Sequence, residues 1–220
     1  MLGAVYVDFD GTIAPSDPTD TVLEAFCDAS WREIEREWQD GRRTAQDCMT
    51  RQVELLRATP EALDELIRSF RIDPHFPAFV ELCRRWHLQV IVVSDGMDRV
   101  VRHVLRAAGL DLPFFANRLQ WLGGDRWKLA FPFARSDCAA GLGNCKCSHR
   151  RGGGGGQLEV VVGDGRSDFC IAARAQLVLA KGRLAGHCRS QAVPHRPIED
   201  FASATAFMAG WLAVHGRKSA

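Results

Sequence analysis

A chain of 220 residues, 46% hydrophobic and 25% charged, is long enough to bury the core of one domain with a smaller insertion. Its formal net charge of +1 argues against a global field that would draw it to nucleic acid or an anionic membrane. Arginine supplies most of the positive charge; Lys128, Lys146, Lys181 and Lys218 are the only lysines, so a catalytic ammonium has few candidates.

At the N-terminus Ala4-Val5-Tyr6-Val7 is too short for the apolar region of a signal peptide and runs straight into acids. No stretch approaches the roughly 18 uninterrupted apolar residues of a spanning helix. Cys27, Cys48, Cys83 and Cys170 sit in apolar helical patterns that suit reduced core thiols, and a cytoplasmic location is expected.

Val5-Tyr6-Val7 reads as a buried strand that ends in the turn Asp8-Phe9-Asp10-Gly11-Thr12. Residues 19–70 then read as helical throughout. Ser30 and Glu33 have capping-box spacing, Gly41 stops that helix, Thr44 with Asp47 caps the next, and Thr59-Pro60 opens a third. The Trp31/Trp38 face reads as cap core before ligand platform, and Arg42-Arg43 as solvated or within reach of an anionic substrate.

Beyond Asp73-Pro74 the period alternates. A helix over 76–87 precedes the strand Gln89–Val93, and a helix over 97–108 precedes a hairpin at 114–133 that turns at Gly123-Gly124-Asp125. The strand Leu158–Val162, a helix near 168–175 and a strand at 177–180 follow. This alternation predicts an α/β fold, a Rossmann-like doubly wound parallel sheet with an inserted helical cap. The core spans 1–16 and 74–220, and the cap spans 17–73. Gly152 to Gly156 reads as a flexible loop.

Three of these strands end in small and polar residues: Asp8-Phe9-Asp10-Gly11-Thr12, Ser94-Asp95-Gly96 and Gly163-Asp164-Gly165-Arg166-Ser167-Asp168. The carboxyl ends of parallel strands line one crevice, so these motifs converge although they lie far apart in the chain. Acids crowded there call for a divalent cation, and oxygen ligands suit magnesium. Asp8, at a strand tip, can attack phosphorus. Asp10, two residues on, can protonate a leaving alkoxide and later activate water. Ser94, Asp95 and Gly96 are placed to bind phosphoryl oxygens through the hydroxyl and the amides. Asp164 can hold the metal, and Asp168 can ligate it or orient its waters. Lys146, in Asn144-Cys145-Lys146-Cys147, is the chosen cation for the transferring phosphoryl group. Lys128 belongs to a hairpin strand, and Lys181 follows the last acidic motif.

Together Asp8-x-Asp10-Gly11-Thr12, Ser94, Lys146 and Gly163-Asp164-x-x-x-Asp168 resemble the four motifs of the haloacid dehalogenase superfamily. The resemblance implies a Rossmann-like core, Asp8 as nucleophile and Asp10 as acid and base. It also implies magnesium held by Asp8, the Asp10 carbonyl and Asp164. The position of the helical block resembles the phosphoserine phosphatase-like subgroup. Phe131-Pro132, Cys145-Lys146-Cys147 and Ala180-Lys181-Gly182 resemble its members that dephosphorylate 2-hydroxy-3-keto-5-methylthiopentenyl-1-phosphate. In relatives of this kind a helix usually follows the lysine; here Gly152 comes so soon that either the helix is very short or Lys146 is less firmly placed.

The expected activity is that of a phosphomonoesterase working through an aspartyl-phosphate. The expected partner is a small phosphorylated metabolite, with no nucleic acid and no membrane. Two other readings remain: phosphoryl transfer to an alcohol, and a non-catalytic metal module in which Cys138, Cys145, Cys147 and His149 hold zinc. No pattern specifies the oligomeric state.

Overall fold

The computed structural model describes residues 3–138, 140–150 and 157–215, so the glycine run Gly152–Gly156 lies outside the described residues. At its centre is β1 (Gly3–Val7), every residue of which is buried. A strand buried on both faces needs a continuous apolar run, which Ala4-Val5-Tyr6-Val7 supplies. The strand lies between β2 (Leu88–Met97) and β5 (Leu158–Gly163), parallel to both, with Val5 opposite Val90 and Val160. On one side β3 (Phe114–Gly123) and β4 (Arg126–Ala130) extend the sheet; on the other, β6 (Leu177–Ala180) and β7 (Arg196–Pro197) do so. The order is β4-β3-β2-β1-β5-β6-β7, and only the β3–β4 hairpin is antiparallel. The hairpin turns at Gly123 (φ 101°) and Gly124 (φ 60°), in backbone that side chains with a Cβ rarely adopt.

Alternation within β1 sends side chains to two opposite layers. Val5 and Val7 join the larger core with α5 (Phe76–Arg85), α6 (Asp98–Ala107) and α9 (Phe201–His215). Ala4 and Tyr6 face the other way, onto Ile91, Val93, Val161 and Ile171 of α7 (Phe169–Ala172). In the larger layer the rings of Phe76 and Phe79 stand 4.7 and 5.2 Å from that of Phe201, all three buried. Burying each such ring contributes about 1.5–3 kcal/mol. This is the doubly wound architecture, completed by α8 (Gly182–Ser190).

Four helices come between β1 and α5: α1 (Pro18–Phe26), α2 (Trp31–Gln39), α3 (Ala45–Leu55) and α4 (Pro60–Ile67). Asp17, Thr44 and Thr59 cap three of them by accepting the amides of Asp20, Asp47 and Ala62. The capping box expected at Ser30 does not form, because Asp28 takes both the Ser30 amide and its hydroxyl, leaving no oxygen aimed at the helix. Gly41, at φ 75°, does end α2. The block rests on the hairpin and on α6. Buried Trp127 donates its indole N–H to the Ala58 carbonyl at 2.8 Å, and Arg99 of α6 meets Asp64 of α4 at 2.6 Å.

Arg42 and Arg43 pair within the block, Arg43 with Glu37 and Asp47 and Arg42 with Glu37 and Asp40. Helix α7 is shorter than the stretch 168–175: a 3-10 turn over Arg166–Asp168 precedes it, and it stops at Ala172. Among the described residues no helix is long and apolar enough to cross a membrane.

Candidate active site

The parallel register sets Val7 opposite Val92 and Val162. The residues just past those strands therefore share one edge of the sheet. Asp8 sits on that edge, 7% exposed, with its amide on the Val162 carbonyl at 2.9 Å. The chain then turns through Gly11 at φ 72°. A Cβ there would stand 2.6 Å from Asp164 Oδ2, so both backbone and space require glycine.

At the centre is an ammonium between two acids. Lys146 Nζ lies 2.6 Å from Asp8 Oδ1 and 2.7 Å from Asp168 Oδ1, with all three side chains buried. Carboxylate oxygens of Asp8, Asp164 and Asp168 all lie within 4.8 Å of one another. Thr12 donates its hydroxyl to Asp164 Oδ1 at 2.9 Å, and the Gly165 amide donates to Asp168 Oδ2 at 3.2 Å.

Burial, then the neighbouring Asp168 charge, pushes the Asp8 carboxyl well above its ordinary range, against the pull of Lys146. Burial and Asp168 likewise raise Asp164. For Lys146, burial acts to lower the value, but Asp168 and Asp8 overcome it and hold the ammonium above an ordinary lysine. One ammonium thus faces three crowded carboxylates. The donors are all oxygen, the set a hard divalent cation such as magnesium prefers, so the residues fit that ion.

Asp10 is held apart from this cluster. Its Oδ1 accepts from the Thr19 amide at 3.2 Å and the Thr19 hydroxyl at 3.1 Å, and its Oδ2 from Ser94 Oγ at 3.0 Å. Burial raises the Asp10 carboxyl, against those hydrogen bonds. The Asp10 side chain is therefore not one of the grouped carboxylates, which leaves its backbone carbonyl for the expected metal contact. Ser94 Oγ in turn accepts the Gly96 amide at 2.8 Å. Asp95 braces the backbone: its Oδ1 accepts the Asn144 amide at 2.7 Å and Asn117 Nδ2 at 3.1 Å, and burial pushes its carboxyl up to about 6.

Lys146 opens a single 3-10 turn, Lys146–His149, so the helix after the lysine is indeed very short. Buried Asn144 does the holding instead. Its Nδ2 donates to the carbonyls of Ser94 at 2.8 Å and Phe115 at 2.9 Å, while its Oδ1 meets His149 Nε2 at 2.6 Å. The His149 ring stacks on Phe115 at 4.0 Å, and burial lowers its pKa to about 4. His149 is thus committed to Asn144 and Phe115. Among the described residues the ion-sized group is the three aspartates, and Cys138, Cys145, Cys147 and His149 do not assemble into another.

Lys128 is exposed on β4. Lys181, set aside on sequence order, donates to the Gly11 carbonyl at 3.2 Å. The signal for it was present: β6 pairs with β5, so the residue after its end returns to the same edge. Thr12 stood inside the first acidic motif but was given no role there, while Thr19 and Asn144 had no such signal, being single polar residues at a helix start and in a loop.

A cavity of about 420 Å³ opens above the aspartates. Its floor carries Asp8, Asp10 and Asp164, and Trp38, Cys48 and Met49 of the helical block form part of its wall. Arg166, from the loop after β5, closes one side. It donates to the Gln39 carbonyl at 2.8 Å and lies 5.3 Å from the Trp38 ring centre.

A family model described as haloacid dehalogenase-like hydrolase matches residues 5–173. The chain is 26% identical over 202 residues to the 2-hydroxy-3-keto-5-methylthiopentenyl-1-phosphate phosphatase of Brevibacillus brevis, covering 90% of each. It is 27% identical over 201 residues to the phosphatase of the same name from Geobacillus kaustophilus, covering 90% of this chain and 91% of that one. Among solved structures, a phospho-aspartyl intermediate analogue of phosphoserine phosphatase superposes with a TM-score of 0.66 at 19% identity, over 93% of this chain and 98% of the other. At that identity the likeness concerns the fold.

Proposed function

From the premise that the chain belongs to the haloacid dehalogenase-like hydrolases, we propose that it is a magnesium-dependent phosphomonoesterase acting through an aspartyl-phosphate on Asp8. The observation that carries this reading is the buried Asp8–Lys146–Asp168 arrangement, with Asp164 beside it and Asp10 held separately by Thr19 and Ser94. Asp8 and Asp168 are thereby paired with one cation, while Asp10 is kept hydrogen-bonded in a burial that favours its proton.

Asp8 attacks phosphorus, and Lys146 offsets charge on the phosphoryl oxygens as it moves. Asp10, its pKa raised by burial, gives a proton to the leaving oxygen and afterwards takes one from the water that opens the aspartyl-phosphate. Asp8, Asp164 and Asp168, with the Asp10 carbonyl, are the residues to hold magnesium, which when bound neutralises phosphate charge that would repel an attacking carboxylate. Residues 17–73 act as the cap over a core of 1–16 and 74–220, a division supported by the cavity lined from both parts.

The substrate is a small phosphate ester. Its apolar portion faces Trp38, Cys48 and Met49, as suits an ester of the kind named for the Brevibacillus and Geobacillus relatives. Phosphate release across a panel of phosphomonoesters, that compound and phosphoserine included, tests the reading. Turnover is expected with magnesium and its loss with a chelator; no release from any ester would overturn it.

Asp10→Asn is expected to slow both steps unequally. Esters with a good leaving group need little help from an acid, so phosphorylation of Asp8 by aryl phosphates should suffer less than by alkyl phosphates. Hydrolysis of the aspartyl-phosphate should slow for both. Single-turnover measurements check this, and an equal loss in the first step for both esters counts against the acid role.

A further inference from the structure

Outside the groups assigned to the reaction, one contact joins the two segments that carry Lys146 and Asp168. The sulfurs of Cys147 and Cys170 lie 3.3 Å apart. Cys147 follows Lys146 on the 3-10 turn, and Cys170 sits in α7, two residues past Asp168. Both thiols are half-buried, so a small solute reaches them. Cys147 also packs on the apolar cluster of Tyr6, Ile91, Val93, Val161 and Ile171, which holds its side chain beside α7.

We propose that Cys147 and Cys170 are a peroxide-sensitive pair whose reversible disulfide slows the enzyme by displacing Lys146. One thiol, as its thiolate, attacks a peroxide oxygen; the O–O bond breaks, leaving a sulfenic acid and one water. The second thiol displaces hydroxide from the sulfenic sulfur, forming the S–S bond and a second water. Two thiols and one hydrogen peroxide thus give one disulfide and two waters, with two electrons passing from sulfur to oxygen.

The geometry explains why such a bond is felt at the site. A disulfide is about 2.05 Å long, so the sulfurs must close a further gap of about 1.2 Å. The segments that must shift carry Lys146 and Asp168, whose ion pair spans 2.7 Å. Misplacing a reacting group by about 1 Å costs on the order of a hundredfold in rate. On the other side of the lysine, Cys145 lies against Cys138, which makes that pair the competing site.

The slowing rests on the phosphatase reading, but the bond does not, and the test separates them. The whole protein is treated with hydrogen peroxide, its remaining thiols alkylated, and its peptides mapped by mass spectrometry without reductant. A Cys147–Cys170 cross-link that dithiothreitol removes is expected. With it, kcat/KM should fall by about tenfold or more and recover on reduction. Cys147→Ser and Cys170→Ser should each be active when reduced and resist peroxide, while Cys138→Ser stays sensitive. If the serine variants do not fold, the alanine variants and the wild-type map still decide.

Alkylation of both thiols after peroxide, or a cross-link confined to Cys138 and Cys145, overturns the proposal. A Cys147–Cys170 bond that leaves turnover unchanged overturns its link to Lys146. If the reduced protein hydrolyses no ester, the phosphatase reading fails while the peptide map still answers for the bond.

Discussion

Asp8→Asn is expected to lower kcat by roughly four orders of magnitude or more, the loss seen when one member of a concerted catalytic unit is removed. The amide keeps the size of the carboxylate but cannot form the acyl phosphate. The variant should still fold. Asp8 is a buried acid whose ionised form is opposed by burial and by Asp168, so neutralising it relieves repulsion while Lys146 keeps its contact with Asp168. The melting temperature should therefore hold or rise, and substrate should still bind in the presence of magnesium. Acid-quenched wild-type enzyme should carry phosphate on the peptide containing Asp8, and the variant should not. Wild-type turnover by Asp8→Asn would end the assignment.

Lys146→Ala has the largest expected effect on stability, and a large one on activity. It strands Asp8 and Asp168 together in the interior, and breaking a buried pair in this way typically costs about 3–5 kcal/mol. The same change should raise KM and lower kcat, for a loss in kcat/KM on the order of 3 kcal/mol or more. Lys146→Arg should rescue only part, since a planar guanidinium does not replace a compact charge set between two carboxylates.

The pH dependence has a definite sign. Because the folded Lys146 holds its proton above the ordinary lysine value, its contribution to stability is fully present below the unfolded pKa of about 10.4. It is lost only as pH rises through the folded value, so the part of the difference between wild type and Lys146→Ala that comes from the lysine charge itself is constant up to the unfolded pKa of about 10.4 and shrinks in alkali. Lys128→Ala, on an exposed strand position, should stay within a few-fold of wild type. A severe Lys128→Ala with a mild Lys146→Ala would make the Cys-Lys-Cys turn structural only.

The legible parts of this molecule are those where a repeated physical demand marks the chain. Strands buried on both faces must be continuously apolar, so β1, β2 and β5 stood out, and parallel pairing then brought the acids after β1 and β5 to one edge. Thr44 and Thr59 were readable as caps because each stands alone as the acceptor for its helix. Ser30 had the same signal and misled, since a better acceptor two residues earlier, Asp28, claims its hydroxyl. Helix α9 left no periodic trace because small and apolar residues surround it on every side. Asn144 escaped notice for a different reason. Its amide is valuable only because Ser94 and Phe115, 50 and 29 residues away, offer carbonyls at the right place.

The central place of β1 also bears on how the chain is made. Its partners begin at Leu88 and Leu158, so on a ribosome adding about 5–20 residues per second the last of them follows β1 by roughly 8 to 30 seconds. During that interval Val5, Tyr6 and Val7 have no finished sheet to enter, whereas α1 to α4 can coil from nearby contacts alone. Burial of β1, and with it the seating of Asp8, is a late event in the birth of the molecule. Shielding of that segment by a chaperone is most useful in the window before Leu158 emerges.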